Sequence, residues 1–326
     1  MRPILAVRVI ALSIAALAVA LGGGSRPLGA VEPLAPNELG RFMILEYHKI
    51  DYPEARWTRT PENFRRDLQR LWERGYRTVL LGDLLDRKIA LPSGTTPIVL
   101  TFDDSSPGQF RYVEKAGQWV IDPDCGVGIL EAFAREHPPF GHAATFYVLP
   151  GADPPNRLFN QPELATRKLQ HLATQGYEIG NHTLWHATLS RYPEDVVRKQ
   201  ITTAQEWIQR HVPGYRPRTL ALPMGAYPKS VEWAVTGQVG GTAYQHEAIL
   251  MVAGGAAPSP FARTFDPYHL PRIQAIDSDL GYWVDYFDKH PEERFVSDGD
   301  PATLTIPAAR ALALRSPSTL RVVQRP

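Results

Sequence analysis

The chain has 326 residues, 44% of them hydrophobic and 21% charged, which fits a globular protein with a sizeable core and argues against a disordered or fibrous one. A formal net charge of +1 without a basic stripe gives no footing for nucleic acid. A single cysteine, Cys125, excludes an intrachain disulfide framework and a multi-cysteine zinc site. At the N-terminus, Arg2 and Arg8 precede an apolar run over 9–21, then Gly22-Gly23-Gly24-Ser25 and Leu28-Gly29-Ala30. Basic start, short apolar run and small-residue exit predict a signal peptide over 1–30, cleaved after Ala30. The run is shorter than the roughly 20 residues of a membrane-spanning helix. The expected product is exported, periplasmic or extracellular, with no stable membrane insertion after cleavage; an uncleaved N-terminal anchor is the competing reading.

Residues 31–40 are a Pro-containing lead-in, and Phe42-Met43-Ile44-Leu45-Glu46-Tyr47-His48 reads as a core strand with a polar tip. The spacing of Phe64, Leu68 and Leu71 predicts a helix over 61–74, closed by Gly75. Thr78-Val79-Leu80-Leu81 is expected as a short strand, with a short helix from Leu84. Pro97-Ile98-Val99-Leu100-Thr101-Phe102 is an apolar, β-branched strand that ends on Asp103-Asp104. The long excursion over 105–139 reads as a loop or lid carrying one helix, 128–136. A strand over 143–148, a helix over 163–175 closed by Gly176, and a strand over 177–182 follow. The helix over 193–211 starts with Pro and acids and lines up Val197, Ile201, Ala204 and Ile208. Strands over 219–222 and 248–252, a helix over 231–235, a strand near 270–273 and a helix over 281–288 complete the alternation. The segment from 301 onward is weakly patterned, an edge hairpin at most. Strands alternating with helices predict an α/β fold with a parallel sheet over 31–290, and a C-terminal tail over 291–326.

Ligands and chemistry gather at the carboxyl ends of parallel strands. Two adjacent carboxylates there repel unless water or a cation separates them, so Asp103-Asp104 is either a helix cap with a solvated neighbour or a site. His182 and His186, four apart in Asn181-His182-Thr183-Leu184-Trp185-His186, face one way if the turn is helical. Two neutral imidazoles and one carboxylate suit a divalent transition metal, and Asp104, at another strand end, is the natural third ligand. The bland alternative is a pair of surface histidines.

Together these residues resemble the polysaccharide deacetylase family with the NodB homology domain, the carbohydrate esterase family 4 type. Thr101-Phe102-Asp103-Asp104 matches its first motif, His182-Thr183-Leu184-Trp185-His186 its second, and Ala144-Thr145-Phe146-Tyr147-Val148 the strand between. The resemblance runs from about 42 to about 275. It implies a deformed (β/α) barrel of about seven parallel strands and an N-acetylated glycan as partner. It further implies Asp104, His182 and His186 as metal ligands and Asp103 as catalytic base. Zinc is the default ion, with cobalt, nickel or iron as alternatives.

Two departures qualify the resemblance. The third motif, Arg-x-Pro-Tyr/Phe-Gly in the family, reads Ala221-Leu222-Pro223-Met224-Gly225-Ala226-Tyr227, without the arginine that holds the base. Arg272 is expected to supply that charge, a surface salt bridge being its alternative, and Pro223, Met224 and Tyr227 are expected at the substrate groove. The fifth motif, Leu-x-His, which carries the family's general acid, is not clearly present. His48 is the candidate for that role, against a purely structural one. Trp185 is expected in the core, and Phe110, Tyr112 and Trp119 either stack on sugars or pack down their loop. The expected activity is metal-dependent deacetylation; a catalytically weak carbohydrate-binding protein on the same scaffold is the alternative.

Overall fold

The computed structural model describes residues 34–315 and 319–326. The segment read as a signal peptide lies outside the described residues. No described helix is long and apolar enough to cross a membrane.

The core is a parallel sheet of β1 Met43–Tyr47, β2 Tyr76–Thr78, β3 Thr96–Phe102, β4 Thr145–Val148, β5 Glu178–Asn181, β6 Thr219–Ala221, β7 Ala248–Leu250 and β8 Ile273–Gln274. Seven of them follow the order β7-β6-β5-β4-β3-β1-β8, and β2 lies against the first half of β3. The two edges meet through one stretch of chain. The Leu270 amide donates to Ile249 and its carbonyl accepts from Met251, while Ile273 pairs with Leu45. This is a deformed (β/α) barrel, and the sequence pattern explains it. Strands covered on both faces read as continuous apolar runs, and every residue of β1 and β3 is buried.

Alternation assigns the faces. Met43, Leu45 and Tyr47 of β1 and Ile98, Leu100 and Phe102 of β3 pack outward with helix residues Phe64, Leu68 and Leu71. Ile44, Val99, Tyr147, Ala221 and Leu250 fill the barrel interior. The same period points Glu46, His48, Thr101 and Asp103 inward, one layer nearer the strands' carboxyl ends. Gly180 is required here: a Cβ on it would lie 2.2 Å from the Tyr147 ring. Tyr147 crosses the interior, and its hydroxyl lies 2.8 Å from Thr219 Oγ1.

The flanking helices are α1 Pro61–Glu73, α2 Gly126–Glu136, α3 Ala165–Thr174, α4 Glu194–His211 and α5 Asp277–Lys289. Thr60 caps α1 by accepting from the Asn63 amide, a contact worth about 1 kcal/mol. The Cys125 sulfur accepts from Gly128 at the start of α2.

Three expectations are corrected. The strand placed over 78–81 is Tyr76–Thr78, because Leu81 already begins a short helix, Leu81–Leu85, whose Gly82 amide donates to Glu178. The excursion over 105–139 carries, besides α2, a hairpin of Tyr112–Lys115 and Gln118–Ile121, turned by Ala116 and Gly117 at φ 51° and 75°. The C-terminal stretch forms no hairpin: Thr303–Pro307 runs parallel to Arg321–Arg325. Phe295, Leu304 and Ile306 are buried with Leu39 and Phe42, so this stretch packs against the barrel.

Candidate active site

Asp103 and Asp104 leave β3 in different directions because the backbone turns sharply between them. Asp103 continues the inward alternation and is buried, its amide bonded to the Tyr47 carbonyl. Asp104 and Ser105 adopt φ of 74° and 43°, a conformation that costs on the order of 1–3 kcal/mol per residue and collects at functional sites. The Ser105 hydroxyl pins the turn, accepting from the Leu149 amide at 3.0 Å and donating to the Asn156 carbonyl at 2.7 Å.

His182 and His186 reach Asp104 by a route the sequence did not disclose. They sit on no helix; His182 directly follows β5, and a turn comes next in which Thr183 and His186 both have φ 67°. The Asn181 side chain accepts from the Thr183 amide, and Thr183 Oγ1 from the Ala187 amide. His182 Nε2 lies 3.3 Å and His186 Nε2 3.4 Å from the same atom, Asp104 Oδ1. His182 Nδ1 lies 2.8 Å from the Ala221 carbonyl, which only accepts, so Nδ1 carries a proton and a neutral ring turns the Nε2 lone pair toward Asp104.

Whether a metal ion suits these residues can be judged from their chemistry. Asp104 Oδ1 is buried and has no hydrogen-bond donor. The ligand atoms of Asp104, His182 and His186 lie within 4.8 Å of one another. Two imidazole lone pairs converging on an orphaned carboxylate oxygen repel unless a cation sits among them. Charge points the same way: Arg272 is paired with Asp103, whereas Asp104 faces only the two histidine rings, so a cation there would offset an otherwise unpaired carboxylate. The residues fit a divalent ion.

The carboxylate not needed for that ion is held elsewhere. Arg272 Nη1 and Nη2 donate to Asp103 Oδ1 and Oδ2 at 2.8 and 2.7 Å, the forked pairing that is the strong form of this contact. Nη1 also reaches Thr101 Oγ1 at 3.1 Å, and Nε donates to the Met251 carbonyl at 2.7 Å. Burial works to raise the Asp103 carboxyl, but the charges of Arg272 and His182 and the Arg272 hydrogen bonds hold it below the usual range. Asp104 is likewise pushed up by burial and carried well below its ordinary value by His182, His48 and His186. Burial and the neighbouring His182 lower His186 to about 4. Burial also opposes protonation of His182, yet Asp103 and Asp104 hold it above the ordinary histidine value.

A cavity of about 410 Å³ opens over these groups, lined by Glu46, His48, Lys49, Trp57, Asp103, Asp104, Asn156, His182, His186, Leu222, Met224 and Val252. His48 packs its ring 4.5 Å from that of Trp57, and burial lowers its basicity. Of the residues expected at the groove, Met224 is there, 71% exposed at φ 57°. Pro223 is buried off the lining, and Tyr227 turns away, its ring stacked on His269 and its hydroxyl donating to the Tyr268 carbonyl at 2.8 Å. Trp185 is 48% exposed rather than core. Phe110 and Tyr112 are buried together, Phe110 also against Phe159, and Trp119 is exposed on the hairpin away from the cavity. Glu46, Lys49, Trp57, Asn156, Leu222 and Val252 were not singled out from the sequence. Glu46 left one signal, a carboxylate inside an otherwise buried apolar strand.

Residues 91–243 match the family model described as polysaccharide deacetylase. The chitooligosaccharide deacetylase of Bradyrhizobium sp. (strain ANU 289) is 30% identical over 139 residues, 43% of this chain and 51% of that protein. The chain thus spans about half the length of this curated relative. Among solved structures, Streptococcus pyogenes deacetylase PplD in complex with acetate aligns with a TM-score of 0.51 at 17% identity, over 72% of this chain and 92% of that one. A de-N-acetylase from Aggregatibacter actinomycetemcomitans aligns with a TM-score of 0.50 at 16% identity, over 76% and 99%. At these identities the likeness supports the fold alone. Asp103, Asp104, His182 and His186 lie within the matched span; Glu46, His48 and Arg272 lie outside it.

Proposed function

We propose that this chain, whose residues 91–243 match the polysaccharide deacetylase family model, hydrolyses acetyl groups from an N-acetylated polysaccharide of the cell envelope or exterior. The observation that carries this reading is the division of labour between neighbours. Asp104 faces His182 and His186 at 3.3 and 3.4 Å, while Asp103 is forked to Arg272 and stands farther from His182, at 3.9 Å.

Asp104, His182 and His186 would hold a divalent ion, zinc by default, which supplies Lewis-acid polarisation and a more acidic water. Asp103, kept ionised by Arg272, takes a proton from the attacking water through a carboxylate oxygen. Thr101 and Met251 fix the guanidinium, so the base keeps its orientation while its charge changes. His48, on the cavity wall, is placed to return a proton to the leaving amine. Leu222, Met224 and Val252 give the acyl group an apolar wall. The basic and apolar start of the chain supports export, which would bring the protein to such a glycan.

A second reading is a carbohydrate-binding protein with little turnover. It is favoured by His48, whose burial disfavours the protonated form that a proton donor needs. Acetate released from chito-oligosaccharides and other N-acetylated glycans, measured after reconstitution with zinc, cobalt, nickel or iron, separates the two. Release above the metal-free control is expected; full metal occupancy with no acetate from any glycan would favour the binding protein.

A further inference from the structure

Glu46 is a carboxylate that the proposed chemistry leaves idle. It is 2% exposed, lines the cavity, and occupies an inward position of β1 where its neighbours Phe42 and Ile44 are apolar. Burying a carboxylate is costly unless something pairs with it. Four of the five Arg272 N–H groups are committed, to Met251, Thr101 and the two oxygens of Asp103. The fifth faces Glu46, whose Oε1 stands 2.7 Å from Nη2. The contact lies off the line of a well-formed hydrogen bond, neither Glu46 oxygen has a hydrogen-bond partner, and burial pushes the Glu46 carboxyl up to about 8 against the pull of Arg272. Glu46, His48 and Asp103 also bring three ligand atoms within 4.8 Å. A second metal ion is nonetheless disfavoured there, because the Arg272 guanidinium already supplies the positive charge at 2.7 Å from both carboxylates.

We propose that Glu46 is a positioning residue that locks the Arg272 guanidinium and, through it, sets the Asp103 carboxylate. The inference deepens the deacetylase reading and rests on it for its catalytic consequence. In the family that the sequence resembles, the base is held by an arginine from a motif that here reads Ala221-Leu222-Pro223. Arg272 enters instead from the stretch before β8, beside β1. Glu46 stands on the β1 side of the guanidinium and Asp103 on the β3 side, so the guanidinium is held from two sides. Without Glu46 one buried guanidinium N–H faces no acceptor, and only the Thr101 and Met251 contacts are left to hold the fork on Asp103.

The test compares Glu46→Gln, which keeps an acceptor, with Glu46→Leu, which removes it, in the metal-loaded full chain. Glu46→Leu should lower kcat about 10- to 100-fold, the scale of a misplaced catalytic group. KM and metal content should stay at wild-type values, and Glu46→Gln should recover most of the loss. In an Arg272→Met background, Glu46→Leu should cost little more, since both act through one contact. Glu46→Ala replaces the leucine variant if that one does not fold. Wild-type kcat in a folded, metal-loaded Glu46→Leu protein overturns the proposal, as do fully multiplied losses in the double variant. A crystal structure of the variant decides without any assay: Arg272 displaced from Asp103 supports the lock, and an undisturbed fork overturns it. Absence of acetate release from the wild type would instead count against the deacetylase reading alone.

Discussion

Asp103→Asn is expected to lower kcat about 10²- to 10⁴-fold, the contribution of a general base, while metal content stays at the wild-type level. The geometry requires both halves. Asp103 contributes no atom to the Asp104, His182 and His186 group, so losing its charge leaves the proposed ligands intact. It is also the carboxylate that Arg272 grips on both oxygens. An asparagine turns one oxygen into a donor facing a guanidinium that only donates, so basicity and alignment are lost together. Acetate release under saturating substrate, with metal analysis of the same sample, checks the prediction. A variant that retains activity would remove Asp103 from the role of base, and one that loses its metal would make it a ligand.

The other large effect should come from the opposite side of the pair. Removing the metal with a chelator, or substituting His186→Ala, should cost roughly 10³-fold or more in kcat/KM, since a metal ion supplies several kcal/mol of charge stabilisation. Metal addition should restore the chelated wild type only. Proton competition gives this prediction a pH signature. His182 is held above the ordinary histidine value, so a proton must leave it before it can ligate. His186, lowered to about 4, is already neutral across the physiological range. The apparent metal affinity should therefore fall about tenfold per pH unit below the His182 range, and about a hundredfold per unit once pH drops through about 4. Isothermal titration at several pH values reads the slope. Affinity independent of pH would mean that these histidines are not the ligands.

The barrel was legible because its strands are buried on both faces and its helices on one. Phe42 to His48, the run into Phe102 and the stripe of Val197, Ile201, Ala204 and Ile208 therefore declare themselves by apolar period alone. The site was legible where side chains of rare type stand at strand ends: Asp103-Asp104, His182 and His186. Backbone reversal by ordinary residues escaped the sequence. His182 and His186 meet Asp104 through left-handed Thr183, His186 and Asp104, not through a helical turn. The same cause misplaced the third-motif residues, since Met224 at φ 57° sends its own side chain to the cavity and leaves Tyr227 to stack on His269. Glu46 was overlooked for another reason. Strand periodicity says which way it points, but only the approach of Arg272, from the stretch before β8 and more than two hundred positions later, brings a charge beside it.

Anomalous diffraction from crystals of the protein grown with zinc or cobalt most directly tests the division of labour between the adjacent aspartates. The account predicts one strong peak within bonding distance of Asp104, His182 and His186, with Asp103 outside the coordination sphere and still forked to Arg272. A peak bonded to Asp103, or none at these residues in a crystal that has bound the metal elsewhere, would contradict it.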